Sequence, residues 1–408
     1  MRRSLPDVPT EILVISDTCA SEAVNQLVFP PRTVDVAIHC GNLTQYSELD
    51  EFHTTLDLMK KIPARRKLVI AGNNDFALDK QSFAEIRRAA EGTPSEDSDG
   101  EDKTAEKEYY GDIGDARHLF ERKDIKEAGI VYLTPGSHQF HLANGANLTV
   151  YACPCTPDVR HGDGFQYTRT KGHDFDIKNN IDVVITHGPP MGILDVRCNN
   201  THSGCEQLFA AVARARPRLH CFGHIRQGWG AKLVAWRDPP SANPSYLTDI
   251  DNDKSVVVDT LDTYHPRNGD TSGDLADKSS RLSKLRETGY RATEWPSRSG
   301  GPVGPGKSTL FVNASIQSAT NAQPQIPWPD VCNTPTADLT TTGLRSRRSG
   351  WLETCGLGMI KSGVTALCGA FGGCTRITTC RHFVNTKTPR HHRTDQNLDA
   401  AQLQTCPT

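Results

Sequence analysis

Five short polar motifs lie along this chain, each directly following an apolar run. The apolar runs are short and rich in β-branched residues, a pattern that predicts buried strands. In open α/β sheets, functional groups gather beyond the carboxyl ends of the strands, so we expect these motifs to meet at one site. In chain order the motifs are Asp17-Thr18-Cys19, Gly41-Asn42, Gly72-Asn73-Asn74-Asp75, His187-Gly188 and Gly223-His224-Ile225-Arg226.

Strand-like runs and helical patterns alternate along the chain, which predicts a layered α/β architecture. Two segments, Gln81 to Ala90 and Cys205 to Ala215, have helical periodicity; the second places Leu208, Ala211 and Val212 on one face. The predicted strands are Ile12 to Ile15, Val34 to Ile38, Leu68 to Ile70, Ile130 to Leu133, Leu148 to Tyr151, Val183 to Ile185, Leu219 to Phe222 and Leu310 to Val312.

The range of these predicted strands and helices indicates one domain at residues 10–331, interrupted by two surface insertions. Residues 91–108 are polar with mostly acidic charges, so we expect a solvated surface loop there. Residues 238–306 are rich in Pro, Ser, Asp and Gly and form the second insertion, in which only Val256 to Val258 hint at a strand. Residues 332–408 form a basic tail with nine Lys and Arg against four Asp and Glu, and with six cysteines. The spacing of those cysteines lacks the short CxxC hairpin of zinc modules, and we expect a poorly ordered tail.

Charge and composition argue against several kinds of partner. The formal net charge is −2, from 46 basic and 48 acidic residues, and provides no global field for nucleic acid or an anionic membrane. The amino-terminal residues lack an apolar signal core, and no run approaches the roughly 20 apolar residues of a membrane span. We therefore expect a cytoplasmic protein whose 13 cysteines are buried thiols or ligands. The oligomeric state cannot be predicted from the sequence.

The motifs resemble those of the calcineurin-like metallophosphoesterases, whose pattern is DxH, GD, GNH with a following acidic residue, a lone His, and GHxH. The segments ISDT, ITHGPPMGILD, ARPRLHCFGHI and FVNAS resemble the metallophosphoesterase-domain-containing branch. The resemblance implies a layered β-sandwich flanked by helices, the metallo-dependent phosphatase fold. It also implies two metals that activate a water molecule for attack on phosphorus.

By this resemblance the first metal would be held by the residues at Asp17, Cys19, Asn42 and Arg226, and only Asp17 is unchanged. Cys19 can ligate zinc or iron as a thiolate; without a metal it is an inert buried thiol. Asn42 keeps an oxygen but loses the negative charge expected between two dications. Arg226 cannot coordinate a metal, because its guanidinium has no lone pair to donate.

The second metal position is better preserved. Asn73, His187 and His224 match the family motif, joined by the neutral Asn42. The resemblance therefore implies at least one divalent metal (Mn, Zn or Fe), and the donor set leaves room for two.

The catalytic candidates are Asn74, Asp75 and Arg226. Asn74 replaces a histidine that assists the leaving group in the family, and an amide cannot exchange a proton near neutral pH. Asp75 keeps the acidic residue of the motif, and Arg226 is suited to binding a phosphate oxygen.

Three functions remain open on these residues. The first is hydrolysis of phosphoesters, with a small phosphodiester or nucleotide as substrate. The second is a pseudoenzyme that binds a phosphorylated ligand or a protein without turnover. The third is a cleft that has been turned to non-phosphoester chemistry on a small metabolite, because a fold does not determine function.

Overall fold

Apolar side chains lie on both faces of the first strands, so these strands need a packing partner on each side. The computed structural model describes residues 8–21, 29–91, 109–157, 162–197, 199–288, 290–295, 306–316 and 328–332. The strands are β1 (Thr10–Ile15), β2 (Val34–His39), β3 (Ala64–Val69), β4 (Ile130–Tyr132), β5 (Gly136–His141), β6 (Asn147–Cys153), β7 (Val183–Thr186), β8 (Leu219–Phe222), β9 (Gly230–Trp236), β10 (Ile250–Thr260), β11 (Thr293–Trp295), β12 (Ser308–Asn313) and β13 (Trp328–Cys332).

The helices cover the outer faces of the strands. Among the residues that the structure describes, no helix combines the length and the apolar character needed to cross a membrane. The helices are α1 (Leu49–Lys61), α2 (Lys80–Glu91), α3 (Asp115–Leu119), α4 (Lys123–Glu127), α5 (Glu206–Ala215) and α6 (Ser272–Thr288).

The strands form two sheets. One has six strands in the order β11-β13-β1-β2-β3-β4, and its strands β1 to β4 are parallel. The other has seven strands in the order β10-β9-β12-β8-β7-β6-β5, and its strands β6, β7, β8 and β12 are parallel. Parallel pairing brings the carboxyl ends of neighbouring strands to one edge of each sheet.

Three buried clusters follow from the alternation along these strands. Ile12 and Val14 of β1 pack between the two sheets, with Val150, Ile185 and other residues of the second sheet. Their neighbours on the opposite face of β1 pack on α1 and α2. On the outer face of the second sheet, α5 closes a third cluster. The layered α/β sandwich is the fold class that the sequence predicts, and all eight predicted strands and both predicted helices are confirmed.

The segment predicted as the second insertion has more regular structure than its composition indicates. Strand β10 pairs antiparallel with β9, and α6 places Leu285 in the cluster between the sheets. The apolar periodicity of these two elements is weak because β10 is an edge strand with Val256 and Val257 exposed, and because most of α6 faces solvent. The first insertion and the basic tail lie outside the described residues, apart from Glu91 at the end of α2 and Cys332 at the end of β13.

His220 of β8 is a buried histidine that cannot readily accept a proton. Its Nε2 lies 2.8 Å from Thr186 Oγ1, whose hydroxyl donates to Gly188 O. Its Nδ1 has no hydrogen-bond partner among the described residues. Burial lowers the pKa of His220 to about 3, so the folded protein keeps the imidazole neutral while the unfolded chain, with a pKa near 6.5, takes up a proton.

Stability should therefore fall as the pH drops below about 6.5, because the unfolded state binds the extra proton. At pH 5, protonation of His220 in the unfolded chain lowers the unfolding free energy by roughly 2 kcal/mol. We expect His220→Gln to make the dependence of the unfolding free energy on pH shallower by about that amount between pH 7 and 5. Urea unfolding at several pH values measures this, with the exposed His118→Gln as control. The prediction is wrong if the unfolding free energy depends on pH in the same way in the natural protein, in His220→Gln and in His118→Gln.

Candidate functional site

The five polar motifs meet at the carboxyl ends of the parallel strands. Motifs from the first sheet follow β1, β2 and β3, and those from the second sheet follow β7 and β8. Direct contacts join the motifs: the Asp17 carboxylate accepts a hydrogen bond from His224 N at 3.0 Å, and Asn73 Oδ1 lies 2.9 Å from His187 Nε2. The predicted convergence of the motifs is therefore confirmed.

Asp17 is fully buried and its carboxylate joins both sheets. Oδ1 accepts from Asn42 Nδ2 at 3.0 Å, while Oδ2 accepts from Ser16 Oγ and Ser315 Oγ, each at 2.8 Å, and from His224 N. Burial opposes ionisation, but the nearby positive charge and these hydrogen bonds hold the pKa of Asp17 below its usual range. The site thus contains a permanent buried anion.

Asn42 forms a bridge of hydrogen bonds across the first-metal half of the site. Its Nδ2 donates to Asp17 Oδ1, and its Oδ1 accepts from Asn74 N at 3.0 Å. The orientation of the amide follows from its partners, because a carboxylate only accepts and a backbone N–H only donates. An aspartate here would place a second anion against Asp17, which only a cation between them could offset.

On the second-metal side, three electron-pair donors converge. Asn73 Oδ1 lies 2.9 Å from His187 Nε2 and 3.0 Å from His224 Nδ1. Two ligands about 2.1 Å from one metal are roughly 3 Å apart when their bonds make a right angle, so these separations suit a shared ion. Asn73 Nδ2 donates to Asp163 Oδ2 at 3.0 Å, which directs the amide oxygen towards the histidines.

The tautomer of His187 follows from its second contact. His187 Nδ1 lies 2.8 Å from Cys40 O, and a carbonyl can only accept, so Nδ1 carries the proton. With a lone pair on Nε2, the ring would face the amide oxygen of Asn73, which is also an acceptor, and a cation would fit between them. A carbonyl-bound histidine is the usual support of a metal ligand.

Cys19 and Arg226 occupy the other side of Asp17. Arg226 Nη2 lies 3.7 Å from Cys19 Sγ, so the fixed positive charge stands beside the buried thiol. Burial raises the pKa of Cys19 well above its usual range, with the Asp17 charge adding to the effect and Arg226 opposing it. Without a metal, Cys19 is therefore a protonated, inert thiol.

Asn74 and Asp75 differ in their surroundings. Asn74 is partly exposed, and its Oδ1 accepts from Asn73 Nδ2 at 2.9 Å. Asp75 is fully buried and accepts four hydrogen bonds, from the backbone of Gly72 and Leu43 and from both the backbone and the hydroxyl of Thr44. The sequence groups Asp75 with the catalytic residues, but these contacts leave it no access to a substrate, and we instead expect a positioning role.

Backbone strain concentrates at this site. Four of the predicted ligand-forming residues, Asp17, Cys19, Asn42 and His224, have φ angles between 49° and 65°. Left-handed backbone is unfavourable for residues with a side chain and persists where the surrounding structure imposes it, often at functional sites. Gly41, with φ of 97°, permits close loop packing, because a Cβ there would lie 2.7 Å from His187 Nδ1.

Sequence reasoning missed two side chains that contact the site. Asp163 accepts from Asn73 and from Gln166 Nε2, and its only sequence signal was its position in the loop between the third and fourth motifs. Ser315 follows β12 and binds Asp17; it ends the FVNAS segment that supports the family resemblance. Both residues reach the site through tertiary structure rather than through a motif.

Together, this sandwich and the five motifs at its edge are typical of the metallo-dependent phosphatase fold. The sequence model of the family described as calcineurin-like phosphoesterase matches residues 10–227, just over half of the chain. The chain therefore belongs to the calcineurin-like phosphoesterase family, whose members use divalent metals.

Several curated proteins are similar to the chain. One is the "Probable rhamnogalacturonate lyase C" of Emericella nidulans, 32% identical over 50% of this chain and 16% of that protein. The human "Metallophosphoesterase domain-containing protein 1" is 26% identical over 54% of this chain and 62% of its own length. The "UPF0046 protein T07D4.2" of Caenorhabditis elegans is 26% identical over 56% and 55%, respectively. The chain thus spans less than two thirds of each of these relatives.

The contacts of Asp75 predict a structural effect. In Asp75→Asn, the new amide NH₂ would face backbone donors instead of accepting from them, and we expect a loss of about 1–3 kcal/mol in unfolding free energy. Urea unfolding measures this, with Asp57→Asn on the exposed face of α1 as the control expected to change stability by less than about 0.5 kcal/mol. Equal shifts in the two variants would refute the positioning role.

Proposed function

We propose that the protein is a metal-dependent phosphoester hydrolase that acts on a small phosphodiester or nucleotide, with one divalent metal and with Arg226 at the position of the other. The observation that carries this proposal is the convergence of Asn73 Oδ1, His187 Nε2 and His224 Nδ1. An amide oxygen and two imidazole nitrogens that offer lone pairs within about 3 Å of one another are a donor set that a shared cation can occupy.

Asn73, His187 and His224 would hold the metal, and this mixed oxygen and nitrogen set suits Mn²⁺, Zn²⁺ or Fe²⁺. When bound, such an ion lowers the pKa of a water molecule and polarises a phosphoryl oxygen. Cys40 O orients His187, and Asp163 orients Asn73, so the ligands are held in place by neighbours.

The first-metal half fits an arginine better than a second ion. Asn42 donates from its amide nitrogen to Asp17 and accepts from the backbone of Asn74, so it supplies neutral hydrogen bonds where the family has a charged bridging ligand. Arg226 supplies positive charge near Asp17, and its planar guanidinium can bind phosphate oxygens in a bidentate manner. We infer that Arg226 binds and orients the phosphoryl group.

Asn74 limits the rate that this arrangement can reach. Its amide can donate a hydrogen bond to a leaving oxygen but cannot transfer a proton near neutral pH. A missing general acid typically costs about 10²- to 10⁴-fold in rate. We therefore expect slow turnover, fastest on substrates whose leaving group needs no proton, such as nitrophenyl esters.

The test measures metal content and phosphodiesterase turnover on the natively purified chain, with Mn²⁺ or Zn²⁺ added. We expect metal-dependent turnover that His187→Ala abolishes, and that Arg226→Gln lowers by about 10²- to 10³-fold in kcat/KM through loss of charge-assisted phosphate binding. The exposed His118→Ala is the control and should retain both metal and activity. A natural protein with neither bound metal nor turnover would contradict the proposal.

A second candidate function is a pseudoenzyme that binds a phosphorylated ligand without turnover. The hydrogen-bonded pair of Asn42 and Asp17 favours it, because this contact closes the first-metal half. The combined substitutions Cys19→His, Asn42→Asp, Asn74→His and Arg226→His should then create turnover where the natural protein has none. Equal rates before and after the substitutions would exclude this alternative.

The partners and location stay predictions. A small phosphorylated ligand, no nucleic acid or membrane partner, and a cytoplasmic location follow from the charge and motifs of the sequence.

A further inference from the structure

A second group of potential metal ligands lies on the outer face of the seven-stranded sheet. Cys153 ends β6, Cys155 follows after one proline, and His173 lies in the loop that leads to β7. Their Sγ and Nε2 or Nδ1 atoms all lie within 4.8 Å of one another. Among the described residues, no other three His, Cys, Asp or Glu side chains converge in this way.

The distances suit a tetrahedral ion. Cys153 Sγ lies 3.5 Å from His173 Nε2. With Zn–S bonds of about 2.3 Å and a Zn–N bond of about 2.0–2.1 Å, two tetrahedral ligands of these types are roughly 3.5 Å apart. Two thiolates and one imidazole are a donor set that favours Zn²⁺ over Mg²⁺ or Ca²⁺.

Burial and charge are also consistent with an ion. Cys153 is buried, and Cys155 and His173 are half-buried, so an ion has access from one side. Two thiolates neutralise a dication, which removes the cost of an uncompensated charge at this depth. Three protein ligands leave a fourth position for water or an exogenous ligand.

The histidine ring is held in place by aromatic neighbours. His173 stacks on Tyr167, with centroids 5.3 Å apart and an interplanar angle of 28°, and meets Phe175 edge-on at 4.7 Å. Tyr167 in turn donates a hydrogen bond to Cys205 Sγ at 2.9 Å. A ligand held by packing loses little rotamer freedom on binding, which favours affinity.

We propose that Cys153, Cys155 and His173 bind a zinc ion. The site is separate from the Asn73, His187 and His224 group, and the proposal does not depend on phosphoesterase activity. The sequence signal is Cys-Pro-Cys, because side chains two residues apart in extended backbone point to the same side.

The zinc fastens a loop that contacts the candidate active site. Thr156, next to Cys155, exchanges backbone hydrogen bonds with Phe165 and Tyr167 at 2.9 and 3.1 Å. In the same loop, Gly164 N donates to the backbone carbonyl of Asn73 at 2.8 Å, and the Asp163 carboxylate accepts from the side-chain amide of Asn73. The zinc therefore stabilises the loop that orients Asn73.

The experiment uses the full chain purified without chelators and then exchanged into Co²⁺. A thiolate ligand gives a sulfur-to-cobalt charge-transfer band, which histidine and asparagine ligands do not give, so this readout separates the two sites without measuring activity. We expect the band in the natural protein and its loss in Cys155→Ser. Cys19→Ser is the matched control, because it removes the thiol near the other site, and it should keep the band.

His173→Gln provides a second variant at a half-buried position, in case Cys155→Ser does not fold. We expect it to weaken zinc binding by more than the roughly 10- to 100-fold typical of a lost supporting contact. Zinc per chain, determined by mass spectrometry, should fall by one in either variant and stay unchanged in His118→Gln. An unchanged band in Cys155→Ser, no band in the natural protein, or a Cys153–Cys155 disulfide in protein kept under reducing conditions would overturn the proposal.

Discussion

The buried carboxylate of Asp17 is the contact on which the site depends. It follows β1 of the first sheet, yet its hydrogen bonds reach Asn42 after β2, His224 after β8 and Ser315 after β12. A carboxylate with no exposed surface is tolerated only when donors and positive charge surround it, so the loops of both sheets must close around it. The same closure brings the histidines of the second sheet next to Asn73.

Around this anion, the two halves of the site use different means to balance charge. On one side, Arg226 provides a positive charge that cannot dissociate, and Asn42 fills the space between loops with neutral hydrogen bonds. On the other side, Asn73 Oδ1 lies 2.9 Å from His187 Nε2, and to this pair we assign an exchangeable cation. Our functional proposal therefore combines a positive charge fixed to the chain, Arg226, with one exchangeable metal ion. The family motifs instead imply two metal ions.

Much of the fold could be predicted from local patterns. The apolar runs of β1 to β4, β6 to β8 and β12, and the polar motifs that follow five of them, are visible in the sequence because strand period and burial act over a few residues. In the second insertion only Val256 to Val258 of the edge strand β10 could be predicted, and the helix α6 could not, since an element with most of its surface in solvent needs little apolar periodicity. Their place in the core depends on a few residues such as Leu285.

The order of the motifs, their position at strand ends and the departures from the family pattern at Cys19, Asn42 and Arg226 could be read from the sequence. Folding sets the direction of the Asn42 amide, the contact of His187 Nδ1 with Cys40 O, the enclosed position of Asp75, and the approach of Asp163 and of the Cys153, Cys155 and His173 group. Residue types are local properties, whereas hydrogen-bond direction and ligand convergence depend on partners distant in the chain. Those partners become neighbours only when the two sheets pack together.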